Sequence, residues 1–162
     1  MAIEFETLGM PYNRAVPLGL EVDSWVLLEG LIPKQSKGFH VNFAYGQFRG
    51  ADIPLKFELQ FKRTPPASAR SILSLNSFAN QWGKEIRMET HLQQGQRFKL
   101  RFIVTSRGYK IMENSILLSE FEHRLSPKAV RFLEMDGEIK LEKVAFSWER
   151  NRETRNPRFG EG

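Results

Sequence analysis

Between residues 39 and 45 Phe39, Val41, Phe43 and Tyr45 alternate with His40, Asn42 and Ala44. Between 55 and 61 Leu55, Phe57, Leu59 and Phe61 alternate with Lys56, Glu58 and Gln60. A period of two sends successive side chains to opposite faces of an extended chain, so each stretch predicts a half-buried β-strand. Residues 97–104 repeat the pattern with Phe98, Leu100, Phe102 and Val104 on one face, and 70–78, 109–114, 115–121 and 140–148 follow it more loosely. In all, roughly ten strands are expected. Breakers separate them: Lys37-Gly38, Arg49-Gly50, Pro65-Pro66, Trp82-Gly83, Gln94-Gly95, Arg107-Gly108, Asn114-Ser115 and Asp136-Gly137. A turn signal every 8 to 12 residues or so is the rhythm of an antiparallel sandwich or barrel. Helical periodicity is missing apart from a single turn expected around 125–130, where Pro127 suits a first helical position.

Length and composition sharpen this reading. A chain of 162 residues, 41% hydrophobic, supports one core of ordinary size. Thirteen Phe, three Trp and three Tyr suit the narrow core of an all-β fold. Lys plus Arg exceeds Asp plus Glu by 24 to 19. Residues 149–158, however, hold four of the arginines against two glutamates, so the body is nearer to balance and nucleic acid is not an expected partner. The expected organisation is an N-terminal extension at 1–9, one domain at 10–148 and an Arg-rich tail at 149–162.

Cysteine is absent, which removes disulfides, thiolate catalysis and cysteine-bound zinc. The first residues carry acids where a secretory leader needs a basic segment followed by an apolar run, and no stretch is apolar for long enough to span a membrane. The three histidines, His40, His91 and His123, stand far apart and outside metal-binding spacings. Phosphate-binding loops, nucleophile elbows and dinucleotide glycine patterns are all missing. Neither an enzyme nor a cofactor is expected.

The polar faces of the strands carry the remaining chemistry. With Phe57 and Leu59 inward, Lys56, Glu58 and Gln60 line the outside of one strand; with Leu73 and Leu75 inward, Ser74 and Asn76 line the next. Glu85 and Arg87 share a face opposite Ile86 and Met88, and Trp82 stands beside them. An indole covers the apolar C–H face of a pyranose, while Asn, Glu and Arg match its hydroxyl groups in fixed directions. Glu85 and Arg87 are also expected to hold each other in place. These residues also fit a second reading, which on their own they favour: an exposed edge with cross-strand ion pairs and a Trp folded into a loop.

From about Met10 to Trp148 the chain resembles the galectins, the β-galactoside-binding lectins. The resemblance rests on the opening PYNRAVPLGL, on GFHVNFAYG, ADIPLKFELQF, LNSFANQWGKEIR, GQRFKLRFIV, YKIMEN and FEHRL, in that order. Trp82-Gly83-Lys84-Glu85-Ile86-Arg87 fits the family signature, and Asn76 stands where its binding asparagine does. The resemblance implies a jelly-roll-like sandwich of two antiparallel sheets with a glycan groove on one concave face. It also implies a cytoplasmic protein exported without a signal peptide, and the capacity to form a homodimer. One segment departs from the family. Where galectins carry His-x-Asn-x-Arg, this chain has Lys56, Glu58 and Gln60. The expected binding set is therefore Asn76, Trp82, Glu85 and Arg87, with Lys56, Glu58 and Gln60 setting an altered or weakened galactoside specificity. A polar surface rebuilt around Lys56 would suit a modified or anionic saccharide. The alternative is a galectin fold that has lost sugar and serves as a protein-interaction module.

Overall fold

The computed structural model describes residues 8–63 and 69–149. Most of the expected extension and of the Arg-rich tail, residues 1–7 and 150–162, lies outside the described residues. The strands, in chain order, are β1 Tyr12–Ala15, β2 Trp25–Leu31, β3 Gly38–Ala44, β4 Ile53–Arg63, β5 Ala69–Phe78 and β6 Ile86–Thr90. They continue as β7 Arg97–Val104, β8 Gly108–Glu113, β9 Ile116–Glu122, β10 Phe132–Gly137 and β11 Lys140–Phe146. The predicted turn is a short 3-10 helix, Pro127–Ala129, capped by the Ser126 side chain.

The strands form two antiparallel sheets. One has the order β1-β10-β3-β4-β5-β6 and the other β11-β2-β7-β8-β9. This is the two-sheet sandwich that the galectin resemblance implies, and one of the two architectures, sandwich or barrel, that the period-two pattern allows. Its apolar positions meet between the sheets, where Phe57, Phe43 and Phe102 are fully buried. The Phe102 ring packs edge-on against Phe43 at 5.2 Å and against Phe57 at 5.5 Å, and Phe39 stacks on Phe98 at 5.8 Å. Each contact joins the six-stranded sheet to the five-stranded one. Burying an aromatic ring of this kind is worth about 1.5–3 kcal/mol.

Local chemistry fixes where strands begin. Gly38 opens β3 at a φ of 133°, in the region that favours glycine, and a Cβ there would run into the Leu59 carbonyl oxygen of β4. The domain also reaches into the expected extension, since Leu8 bridges Leu141 of β11. Among the described residues no helix is long and apolar enough to cross a membrane.

Candidate functional site

Strand register assembles the outward face of the six-stranded sheet. Directly paired residues of an antiparallel sheet project to the same side. Asp136 pairs with His40, His40 with Glu58, Glu58 with Ser74 and Ser74 with Arg87, which makes one polar row across five strands. A parallel row runs Glu134, Asn42, Lys56, Asn76. Lys56, Glu58, Ser74, Asn76 and Arg87 thus share one face, as the alternation predicts. Gln60 lies one step further along β4, opposite Ile72, and donates to Glu58 at 3.3 Å.

Trp82 comes from the loop between β5 and β6. That loop turns at Asn80, whose φ of 68° is left-handed, and whose backbone N–H reaches Asp52 Oδ1 at 3.3 Å. A bridge between Phe78 and Trp82 and an edge-on ring contact at 5.1 Å hold the indole upright beside the polar rows. It remains 48% exposed, so its surface is open to a ligand. Lys56 complicates that access. Its ammonium lies 4.9 Å from the centre of the Trp82 ring and 3.7 Å from the Glu58 carboxylate.

Asn76 is held on every side but one. Its Nδ2 donates to the Gly83 carbonyl at 3.0 Å, and its Oδ1 accepts from the Ser77 N–H at 2.7 Å and from Arg124 Nη1 at 3.0 Å. Of its four hydrogen-bonding positions one N–H is left for a ligand. Arg124 itself belongs to the segment after β9. It also donates to Ser77 Oγ at 3.1 Å and to the Lys84 carbonyl at 2.8 Å, and its guanidinium lies over the Phe121 ring at 4.6 Å. Both the asparagine and the loop that carries Trp82 and Glu85 are therefore tied to one guanidinium. Gly83 leaves room for it, since a Cβ there would stand 2.8 Å from Arg124 Nη1.

Glu85 departs from expectation. The sequence pairs it with Arg87, whereas its carboxylate accepts a hydrogen bond from Ser74 Oγ. Among the described residues the two make no ion pair. The reason is that β6 begins at Ile86, so Glu85 sits in the loop and turns toward β5.

Charges of both signs share this face. Glu58, Glu85, Glu89, Glu134 and Asp136 stand with Lys56, Lys62, Arg70, Arg87 and His40, and Glu89 is paired with Arg70. Burial, with the Lys56 ammonium second, holds the His40 imidazole below its ordinary value, which favours the neutral ring. Burial raises the Glu134 carboxyl, partly opposed by its hydrogen bond from Asn42. The other histidines serve packing: His123 bonds the Thr105 carbonyl at 2.9 Å and meets Tyr109 edge-on, and His91 bonds the buried Glu113 at 2.7 Å. Among the described residues no group of three or more His, Cys, Asp or Glu could hold a metal ion.

Asn76, Trp82, Glu85, Lys56 and Glu58 therefore converge, Arg87 flanks them across Ser74, and Gln60 stands at the margin. Sequence reasoning missed Arg124. Its signal lay in the segment FEHRL, which carries part of the family resemblance although its arginine has no local partner.

The family model for galactoside-binding lectins matches residues 11–146. Rat galectin-4 is 35% identical over 138 residues, which are 85% of this chain and 41% of that protein. Mouse galectin-6 is 32% identical over 91% of this chain and 48% of its own length. The chain thus spans less than half of these longer relatives. Mouse galectin-7, at 30% identity over 80% of this chain, is matched over 92% of its length. Among solved structures, sheep galectin-11 in complex with glycerol superposes with a TM-score of 0.74 at 29% identity, covering 86% of this chain and 99% of that one.

Proposed function

Because the chain belongs to the galectins, the galactoside-binding lectins, we propose that the outward face of its six-stranded sheet is a glycan groove of altered specificity. The observation that carries this reading is the half-exposed Trp82 beside the two polar rows that strand register builds. In it Trp82 is the stacking surface, and the free N–H of Asn76, the Glu85 carboxylate and Arg87 bind hydroxyl groups.

The other half of the groove works differently from a galactoside site. Glu58 accepts but does not donate, and Gln60 supplies no charge. Lys56 is committed to Glu58 and lies over the indole. A neutral galactoside must displace that ammonium to stack, which weakens its binding. An anionic saccharide gains little from Lys56, whose ammonium is already paired with Glu58. The groove suits a hydroxyl-rich glycan, best one that offers acceptors to Lys56 and donors to Glu58. This revises the preference for anionic sugars that Lys56 alone suggests.

A broad glycan panel that includes lactose, run on the natural chain and on Trp82→Ala, tests the proposal. Binding of at least one glycan that is lost in the variant supports it. If nothing binds, or if Trp82→Ala leaves binding intact, the groove serves another purpose. The blocking position of Lys56 favours one alternative, a domain that has exchanged sugar for a protein partner.

A further inference from the structure

The outward face of the five-stranded sheet carries a second, independent feature. Lys99 and Arg101 of β7 and Lys143 of β11 line a depression of about 410 Å³ together with Trp25, Ala145, the buried Leu27 and the carboxylates of Glu29 and Glu149. Register explains the placement. Lys143 and Lys99 both pair with Glu29 of β2, and Arg101 pairs with Leu27, which pairs with Ala145. The two lysines therefore leave the sheet roughly 10 Å apart, two strand spacings, with Glu29 between them and Trp25 and Ala145 beside the gap.

None of the three cations has a carboxylate within ion-pairing distance among the described residues, whereas Arg97 close by is paired with Glu142 at 2.5 Å. Arg101 is held by packing, its guanidinium 5.3 Å above the Trp25 ring and its buried Nε–H without an acceptor among the described residues. Glu29 offsets one of the three charges, and the Glu149 carboxylate that also borders the depression is bound by Arg14. Three cations against one carboxylate leave two positive charges. A neighbouring hollow of about 260 Å³ shares Lys99 and Arg101 and adds Asn114 and Ser115.

Cations that converge beside the partly buried Trp25 and Ala145 attract an anion. A bare inorganic ion would use the charges and leave Trp25 and Ala145 uncovered. We propose that this depression binds a small organic oxyanion, a phosphate, sulfate or carboxylate carried on an aromatic body. The oxyanion lies between Lys99, Arg101 and Lys143, and the ring covers Ala145 beside Trp25. The site faces away from the Trp82 groove and does not depend on the glycan reading.

Phenyl phosphate titrated into the full chain, followed by amide shifts in 1H–15N correlation spectra, tests the site. Saturable shifts are expected at residues 25, 27, 99, 101, 143 and 145. Excess lactose should not displace the probe, and Lys99→Gln with Lys143→Gln should weaken it about fivefold or more while the fold is retained. Inorganic phosphate should bind at least about fivefold more weakly. No saturable shift, or equal binding by the double variant, overturns the proposal. Equal binding of inorganic phosphate also overturns it, by showing an adventitious ion only.

Discussion

Arg124 and Asn76 stand 48 residues apart in the chain, yet the guanidinium of one donates to the amide oxygen of the other at 3.0 Å. Through the same guanidinium the end of the five-stranded sheet grips the Lys84 carbonyl and so the loop that presents Trp82. The orientation of the asparagine follows from this network. Its oxygen faces two donors and its nitrogen faces a carbonyl, so a flipped amide would lose all three bonds. The candidate site thus depends on a residue that need not touch the ligand.

Arg124→Lys should reduce the affinity for any panel glycan by about tenfold, equivalent to about 1.4 kcal/mol. Lysine keeps the charge but cannot span Asn76, Ser77 and Lys84 with a planar fork. Isothermal titration measures the affinity, and the indole N–H resonance of Trp82 reports whether the loop has moved. Unchanged affinity would show that Asn76 and the loop hold their places unaided.

Gly83→Ala tests the same contact from the other side. Its added Cβ would crowd Arg124 Nη1 at 2.8 Å, Ser77 Oγ at 3.2 Å and Asn76 Oδ1 at 3.3 Å. The single variant should weaken glycan binding, but the same change made in an Arg124→Ala background should cost little more. A double-mutant cycle on binding free energy should therefore show coupling of about 0.5–3 kcal/mol. Strict additivity would mean that Gly83 is needed for some other reason.

The strands and their faces were legible because alternation is a local signal. Phe57 and Leu59 point inward, and Lys56 and Glu58 outward, for reasons contained in five consecutive residues. Alternation and turns narrowed the fold to an antiparallel sandwich or barrel, and the galectin resemblance chose the two-sheet sandwich. Partners across the fold were another matter. Nothing near Arg124 in sequence indicates that it crosses to Asn76, and nothing near Glu85 indicates that β6 starts one residue too late to pair it with Arg87. The position of Lys56 over the indole was equally hidden, since it depends on how the loop at Asn80 turns back over β4.

Restoring the family residues with Lys56→His, Glu58→Asn and Gln60→Arg together should raise lactose affinity by about tenfold or more over the natural chain. The change frees the Trp82 face, returns a group that both donates and accepts, and supplies a guanidinium near Glu85. Calorimetric titration with lactose reads the gain directly. No gain from a folded triple variant would locate the altered specificity elsewhere in the groove.

Burial pushes the Tyr109 hydroxyl well above its ordinary value of 10.0, and its oxygen has no hydrogen-bond partner among the described residues. Below pH 10 the phenol is protonated in both folded and unfolded chains and pH has no effect through it. Above pH 10 the unfolded chain releases a proton that the fold retains, so stability falls as pH rises. Tyr109→Phe should remove this component and, by deleting an unpaired buried hydroxyl, gain up to about 1 kcal/mol at neutral pH. Urea unfolding at pH 7 and pH 11 measures both effects. A variant less stable at pH 7 would indicate that the hydroxyl has a partner after all.

The most direct test of the glycan groove is a map of where the tightest-binding glycan from the panel perturbs the backbone amides of the natural chain. The groove reading predicts saturable shifts concentrated at residues 56–60, 74–76 and 82–87, all lost in Trp82→Ala. Shifts confined to the five-stranded sheet, or no binding by any glycan in the panel, would contradict it.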